Sequence, residues 1–584
     1  PGLAQMLVGC FVLETSLVAP PTASGSSEDE KNDAGYRQAA DPAAQGAQAA
    51  PNTASVPFMY SNEHDASRVE TSSARVGPVT YGGDNELQRQ PRQSDASQDE
   101  PYNRNAPSRD QVRAAARGQQ GPINFDGQPP TPITTPHYQD GNVRIDFSSV
   151  SANDPNARLK RNEILQISTG QGDDNVSVER SSDGGILAHV NGQSYQIPFI
   201  ENSVNQQRVL ISTGDGKDAV NIDYGGDQET IVDLGRGNDS FYGGSGRTSV
   251  FGSDGSDIIN LGSGDSYAEG NDGNDFITGG TGNTVIFGGN GSDELRAGGG
   301  SDTKVSYVDG GNGRDSIFGG RGRNILHGGR DDDFIFGGDS NTIYTGRGED
   351  TVETNSQSDT VYGQVGTDDL SRVRSPASVR HLPISNDGGR IRIEGSEAFK
   401  QNIEDTLEFY RSSPVGQYTL AKIDSLPAPL VIREGFNGSF YHYSDPGSGN
   451  ARDDENRRIG LADGYISGGV AGTPATNPLV THQRNFITPG TGRPPAVVLH
   501  HELAHAINGG EGTFLSGNTY IGHSNPRFAY EANNERQAVG LPSNHSPYHF
   551  NGPGLPATTY NPWPYNENAL LAEFGLPIRP RYFE

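Results

Sequence analysis

The sequence predicts a multidomain chain. A disordered leader comes first, then a parallel β-roll, then an α+β domain built around a metal-binding helix. Three observations carry this reading. The first quarter is polar and rich in Gln, Ser, Asp and Pro. Glycine recurs every ninth residue through the middle. A His-Glu-x-x-His lies inside an apolar run near the end.

Composition sets the outer limits. At 584 residues the chain exceeds one ordinary core, so two to four units are expected. Asp and Glu number 73 against 44 Lys and Arg, a formal net charge of −29. That balance argues against proteins that grip nucleic-acid phosphates or anionic membranes, and it suits one that holds divalent cations. Only 32% of residues are hydrophobic, with 79 Gly and 37 Pro, so part of the chain is disordered or repetitive. The single cysteine, Cys10, excludes an internal disulfide framework and Cys-rich zinc modules. No run of 18 apolar residues exists, so no membrane-spanning helix is expected.

Residues 1–135 read as the leader. They show neither the strand period of 2 nor the helix period of 3.6 over a useful length, apart from a short helix expected near 110–117. Leu7-Val8-Gly9-Cys10 resembles a bacterial lipoprotein processing box, but the apolar stretch before it is short and has no basic start. An exported chain of this kind is expected to use a route that reads an unstructured leader.

Residues 136–365 read as β-rich. Runs such as NVRIDFSSV, EILQIST and RVLIST alternate like strands. From about 235 to 352 the period is fixed. Gly237, Gly246, Gly255, Gly264, Gly273, Gly282, Gly291 and Gly300 are nine apart, and the series resumes at Gly313 and Gly322 after a four-residue insertion. Each unit approximates G-G-x-G-x-D-x-U-x. The apolar U positions are Phe241, Val250, Ile259, Ile277, Ile286, Leu295, Ile317, Leu326, Ile335 and Tyr344, with Ala268 the small exception. This pattern resembles the RTX nonapeptide, which implies a parallel β-roll with calcium in its turns. Glycine permits the tight turn, and one inward apolar residue per strand builds a thin core.

The position two after each glycine alternates, apart from Asp302 beside the insertion. Asp239, Asp257, Asp275, Asp293, Asp315, Asp333 and Asp350 fall on one edge of a two-sided roll. Thr248, Ser266, Thr284, Asn324 and Thr342 fall on the other, as an expected hydrogen-bonded ladder. Strands in a sheet lie about 4.8 Å apart, so neighbouring carboxylates repel by roughly 0.9 kcal/mol even in water. A stack of acids with oxygen-only ligands calls for Ca²⁺.

Residues 366–390 lose the period and read as a linker, and 391–584 as the second domain. EGSEAFKQNIEDTLEFYRSS is helical in pattern, with Phe399, Ile403, Leu407 and Tyr410 on one face and Ser396 as N-cap. Pro414 ends that pattern; QYTLAKIDSL reads as a second helix and PLVIRE as a strand.

His501-Glu502-Leu503-Ala504-His505 carries the chemistry. On a helix the two imidazoles, four apart, share a face and can bind one Zn²⁺. Glu502 lies beside them as a general base for water. Pro494 and Pro495 are placed to open this helix, and Gly509-Gly510 to end it. His500 points off the ligand face and reads as structural. A third ligand is required. Glu511 occupies the place of the third histidine in metzincins, but the only methionines, Met6 and Met59, lie far upstream of any Met-turn. Glu531 and Glu535, four apart in FAYEANNERQAVGLP, are the better candidates; one can bind zinc and the other orient a histidine, in a gluzincin-like arrangement.

The blocks HELAHA, NERQAVGLP and NENALLAEFGLPIRPRY, in that order, resemble the NleD-like zinc metallopeptidase effectors over residues 390–584. The resemblance implies a zincin-like fold, Glu535 as third ligand, and a protein substrate of the host-signalling class reached by delivery into a host cell. The repeat region ahead of it departs from the compact members of that family. Arg579 and Tyr582 resemble the R-x-x-Y pair of clostridial neurotoxin proteases, which implies stabilisation of the tetrahedral oxyanion. The expected function is a secreted zinc endopeptidase, a bacterial effector or toxin that cleaves host proteins. The rival readings are a calcium-binding adhesive roll with an inactive protease-like domain, and a zinc hydrolase of a non-peptide bond.

Overall fold

The computed structural model describes residues 133–582, apart from 142, 151–161, 183–184, 198–207, 224–228, 365, 436–438, 445–450, 454–463, 486–491, 523–528 and 553. Residues 1–132 of the expected leader, with the 110–117 helix and the Cys10 segment, lie outside the described residues.

The repeats wind into a two-sided parallel roll. One sheet takes the longer strands, among them Arg247–Asp254, Ser266–Asp272, Thr284–Asn290, Val305–Asn312, Arg323–Arg330 and Ser340–Arg347. The other takes three-residue strands such as Ser240–Tyr242, Ile258–Asn260, Phe276–Thr278 and Glu294–Arg296. Neighbours within each sheet are parallel, so one coil is a pair of nonapeptides. Antiparallel strands at the N-terminal end cap both sheets, including Ile133–Asp140 with Val143–Val150 and Asn175–Arg180 with Ile186–Val190.

Alternation along each long strand gives the roll two apolar faces. Val250, Ala268, Ile286, Val308, Leu326 and Ile343 point inward against Phe241, Ile259, Ile277, Leu295, Ile317 and Ile335, and all are fully buried. Each such side chain contributes about 1.5–3 kcal/mol of transfer free energy, less for alanine. The expected inward residue Tyr344 is displaced by its neighbour. Leu326 pairs with Ile343, because this coil is one residue shorter than the others, and Tyr344 turns outward.

The outward face is also buried. Tyr267, Phe287, Tyr307, Ile325 and Tyr344 join Phe399, Ile403, Leu407 and Phe409 in one hydrophobic cluster. Those four belong to helix α1 (Glu397–Ser412), which Ser396 caps by accepting from the Phe399 amide at 3.2 Å, as expected. Tyr344 and Tyr307 meet the Phe409 ring edge-on, with centroids 5.0 and 6.0 Å away. Buried acids at this seam are paired across it. Glu269 accepts from Arg484 at 2.7 Å, and Glu573 from Tyr344 at 2.7 Å and from Ser413 at 2.6 Å. The segment read as a linker carries Asp369–Arg372 and Val379–His381, which extend the two sheets by a further strand each.

Pro414 does end α1, and it also opens helix α2 (Pro414–Asp424), with Ser413 as cap. A five-stranded sheet follows, ordered Ile391–Glu394, Leu430–Glu434, Leu479–His482, Phe440–Ser444, Ala451–Asp453. The first three strands are parallel, Phe440–Ser444 runs against them, and Ala451–Asp453 runs in their direction again. Helix α3 (Pro495–Glu511) packs against this sheet, and the short helices α4 (Asn533–Val539) and α5 (Glu567–Glu573) pack against α3.

Candidate metal centres

Helix α3 is buried along nearly all its length, as its apolar lead-in requires. Pro495 opens it. It runs through Gly509 and Gly510, and ends where Gly512 adopts the left-handed conformation at φ 69°. The two glycines expected to terminate the helix therefore sit inside it. A Cβ at Gly509 would stand 2.1 Å from the Tyr441 hydroxyl, and one at Gly510 would meet Leu426, so these positions stay small to let neighbours close in.

His501 and His505 face one way from α3, and Glu535 comes to them from the first turn of α4. Nε2 of His501 and Nε2 of His505 are 3.2 Å apart, and Oε2 of Glu535 is 3.1 and 3.3 Å from them. Bonds of about 2.0–2.1 Å in a tetrahedral site put ligand atoms roughly 3.3 Å apart. The three atoms thus have the spacing a zinc ion requires, and they form the one such cluster among the described residues. Burial alone would push His501 down, but hydrogen bonds to Glu535 and Glu567 hold it up at about 10. Glu535, despite its own burial, is held well below the usual carboxylate range by the His505 and His501 rings. The cluster sets two imidazoles against a carboxylate, a donor set that a divalent ion can occupy with proton release.

Glu502 is buried next to the pair, and burial raises it to about 7 against the opposing pull of His501 and His505. The Tyr441 backbone amide supports its carboxylate. His500 lies on the other side of the helix, fully buried against the Tyr410 ring and lowered to about 4 by that burial.

The two glutamates expected to share a helical face do not. Glu531 belongs to the strand Tyr530–Ala532, and the helix begins only at Asn533. Glu531 pairs with Arg536 and accepts from the Tyr582 backbone amide at 3.0 Å, so it pins the C-terminal tail. Glu511 pairs with Lys422.

Sequence reasoning gave no role to the parts that hold the site in place. Oε2 of Glu567, at the start of α5, lies 3.0 Å from Nδ1 of His501 and accepts from Arg579 at 2.8 Å. A buried amide network ties α4 to α3. Asn508 and Asn561 bond reciprocally at 2.9 and 2.8 Å, and Gln537 donates to Asn561 and to the Thr513 carbonyl, both at 2.9 Å. Asn508, Asn561 and Gln537 are far apart in sequence, and only a polar residue on each buried face hinted at them. The Arg579 guanidinium lies 5.2 Å from the Tyr582 ring, which stands 6.0 Å from the His501 ring.

The roll stacks the expected carboxylates on one edge. The amide of each acid donates to Oδ1 of the next, from Asp239 to Asp257, Asp275, Asp293, Asp315 and Asp333, at 2.8 Å throughout and from Asp333 to Asp350 at 2.9 Å. The Oδ2 atoms of all seven are buried without a partner. Burial raises Asp257 and Asp275 to about 7 and Asp333 to about 10. Orphaned carboxylate oxygens in a low-dielectric turn are costly unless a cation meets them, so the donor set fits Ca²⁺.

The opposite edge differs from expectation. The hydroxyls of Thr248, Ser266 and Thr284 turn back to the carbonyls of Gly246, Gly264 and Gly282 within their own turns. The longer amides do bridge coils, Asn324 to Asn341 at 3.0 Å and Asn341 to Asp359 at 2.7 Å. Asn341 takes the place expected for Thr342, through the same one-residue shortening.

Residues 387–582 match the Peptidase_M91 family model, described as an effector protein. Residues 224–259, 233–268, 269–303, 309–341 and 337–370 match the model of the RTX calcium-binding nonapeptide repeat. No curated protein and no solved structure matches the chain. The chain therefore joins a β-roll that matches the RTX repeat to a C-terminal region that matches a peptidase effector family. No helix among the described residues is long and apolar enough to cross a membrane.

Proposed function

We propose that the protein is a secreted zinc-dependent endopeptidase, an effector delivered into a host cell, where it cleaves host proteins of the signalling class. The observation that carries this is the near-equilateral triangle of His501, His505 and Glu535 atoms, closed by a glutamate from a different helix. The effector-family match over the same region supports a protein substrate. A bound zinc ion would supply Lewis acidity toward the scissile carbonyl and the attacking water. Glu502 takes the proton from that water and passes it to the leaving amine; its elevated affinity for protons suits both roles. Tyr582, beside His501, is assigned to the negative charge that develops on the carbonyl oxygen. Arg579 acts through Glu567 and the Tyr582 ring, as a positioning residue. In the roll, Asp239, Asp257, Asp275, Asp293, Asp315, Asp333 and Asp350 are assigned to calcium.

The test compares Glu502→Gln with the native chain on a library of host proteins, with metal content measured in both. One zinc per chain in each, with cleavage lost only in the variant, is the expected outcome. Equal cleavage by the two proteins sinks the mechanism, and product masses that show no peptide-bond hydrolysis sink the substrate class.

A further inference from the structure

Two turns upstream of the recognised repeats share the geometry of the carboxylate edge. Thr169-Gly170-Gln171-Gly172-Asp173-Asp174 and Thr213-Gly214-Asp215-Gly216-Lys217-Asp218 have the same T-G-x-G-x-D spelling. Both glycines of each turn have positive φ, 144° and 107° in the first and 92° and 155° in the second. Gly235 and Gly237, at 88° and 143°, lead into the recognised Asp239 in the same way. The coil between the two upstream turns is interrupted by antiparallel strands, which breaks the nonapeptide period and hides the relation in sequence.

The hydrogen bonding is continuous with the ladder. The Asp174 amide donates to Oδ1 of Asp218 at 2.8 Å, and the Asp218 amide donates to Oδ1 of Asp239 at 2.7 Å. The threonine hydroxyls run alongside, Thr169 to the Thr213 carbonyl and Thr213 to the Leu234 carbonyl, each at 2.7 Å. Asn191 holds Oδ1 of the terminal Asp174 at 2.5 Å. The remaining oxygens, Oδ2 of Asp174 and of Asp218, have no hydrogen-bond partner, in side chains of residues only 7% and 1% exposed. An unpaired carboxylate oxygen at that depth is retained at a cost that a bound cation removes.

The opposite edge shows independently that turns of this roll can hold positive charge. At the four-residue insertion, Nζ of the buried Lys304 donates to the carbonyls of Gly280, Ala297 and Gly299 at 2.6, 2.5 and 2.9 Å. A tethered ammonium there fills a cage of backbone oxygens contributed by two successive coils.

We propose that the upstream turns hold two further calcium ions, one between Asp174 and Asp218 and one between Asp218 and Asp239. The calcium edge then begins about fifty residues before the first matched repeat at residue 224. Hard oxygen donors of flexible number suit Ca²⁺ over smaller, octahedral Mg²⁺. This inference rests on the reading of the seven later aspartates as calcium ligands.

The experiment counts calcium on the full chain by native mass spectrometry, for the wild type, for Asp174→Asn with Asp218→Asn, and for Asp257→Asn. Two ions fewer in the double variant support the proposal. An unchanged count in the double variant, with ions lost from Asp257→Asn, overturns it and leaves the later ladder standing. No calcium on any of the three overturns both readings. Should the double variant fail to fold, hydrogen exchange on the wild type decides. Calcium is expected to slow exchange in 169–176 and 213–220 at least tenfold, together with 252–259. Protection confined to 252–259 overturns the proposal.

Discussion

Glu567 stands between the His501 imidazole and the Arg579 guanidinium, and each contact constrains the other. Its carboxylate engages Nδ1 of His501 and leaves Nε2 toward His505 and Glu535, while Arg579 holds the carboxylate in place. Glu567→Gln is expected to lower zinc affinity by about 10–100-fold, read by competition with a chromophoric chelator. A residue that served only folding would shift the melting temperature and leave that affinity unchanged. Lys304 makes the complementary case in the roll. Lys304→Met keeps the aliphatic stem but leaves three buried carbonyls without their donor, and is expected to cost about 3 kcal/mol in a urea titration. At this scale the sequence was legible where chemistry is local. His501, Glu502 and His505 sit within one helical turn and were readable as a unit. The choice between Glu531 and Glu535 turned on where a helix starts, at Asn533, which spacing alone does not reveal. Glu567 lies 66 residues from His501 and had no periodic signature.

Among the elements, α3 shows why helix ends are hard to read. Gly509 and Gly510 have the composition of a stop signal, yet their role is steric. Tyr441 closes over Gly509, and the same residue's backbone amide supports Glu502. Gly509→Ala is expected to destabilise the chain by about 1–3 kcal/mol through overpacking, measured by urea unfolding, and to lower cleavage by moving the strand that carries Tyr441. Unchanged stability and activity would mean that the tyrosine has room to retreat. The roll strands were legible for the opposite reason: a period of nine repeated over many coils outweighs any local ambiguity. Within the repeats it slipped where a coil shortens, so that Ile343 and Asn341 replace Tyr344 and Thr342 in their rows. The outward aromatics were equally present in the sequence, but alternation on a strand does not say what covers the second face.

That second face decides how the whole molecule responds to calcium. The expectation of two domains on a linker assumed separate cores. Instead Tyr267, Phe287, Tyr307 and Tyr344 of the roll share a cluster with Phe399, Leu407, Phe409 and Phe574 of the peptidase region. The roll sheet is thus a wall of the fold that carries the His501, His505 and Glu535 cluster, since α1 packs on that sheet and, through Tyr410, on the start of α3. Each calcium ion held at a hundred times its dissociation constant stabilises the folded state by about 2.7 kcal/mol. With a shared core, that stabilisation extends to the peptidase region. Removing calcium while free zinc is buffered is therefore expected to lower one common unfolding transition in calorimetry, and to expose amides of α1 and α3 to exchange along with those of the roll. Cleavage is expected to fall in the same titration. A peptidase transition that stays in place while the roll melts would show that the seam is a contact between independent units, and that calcium acts on the roll alone.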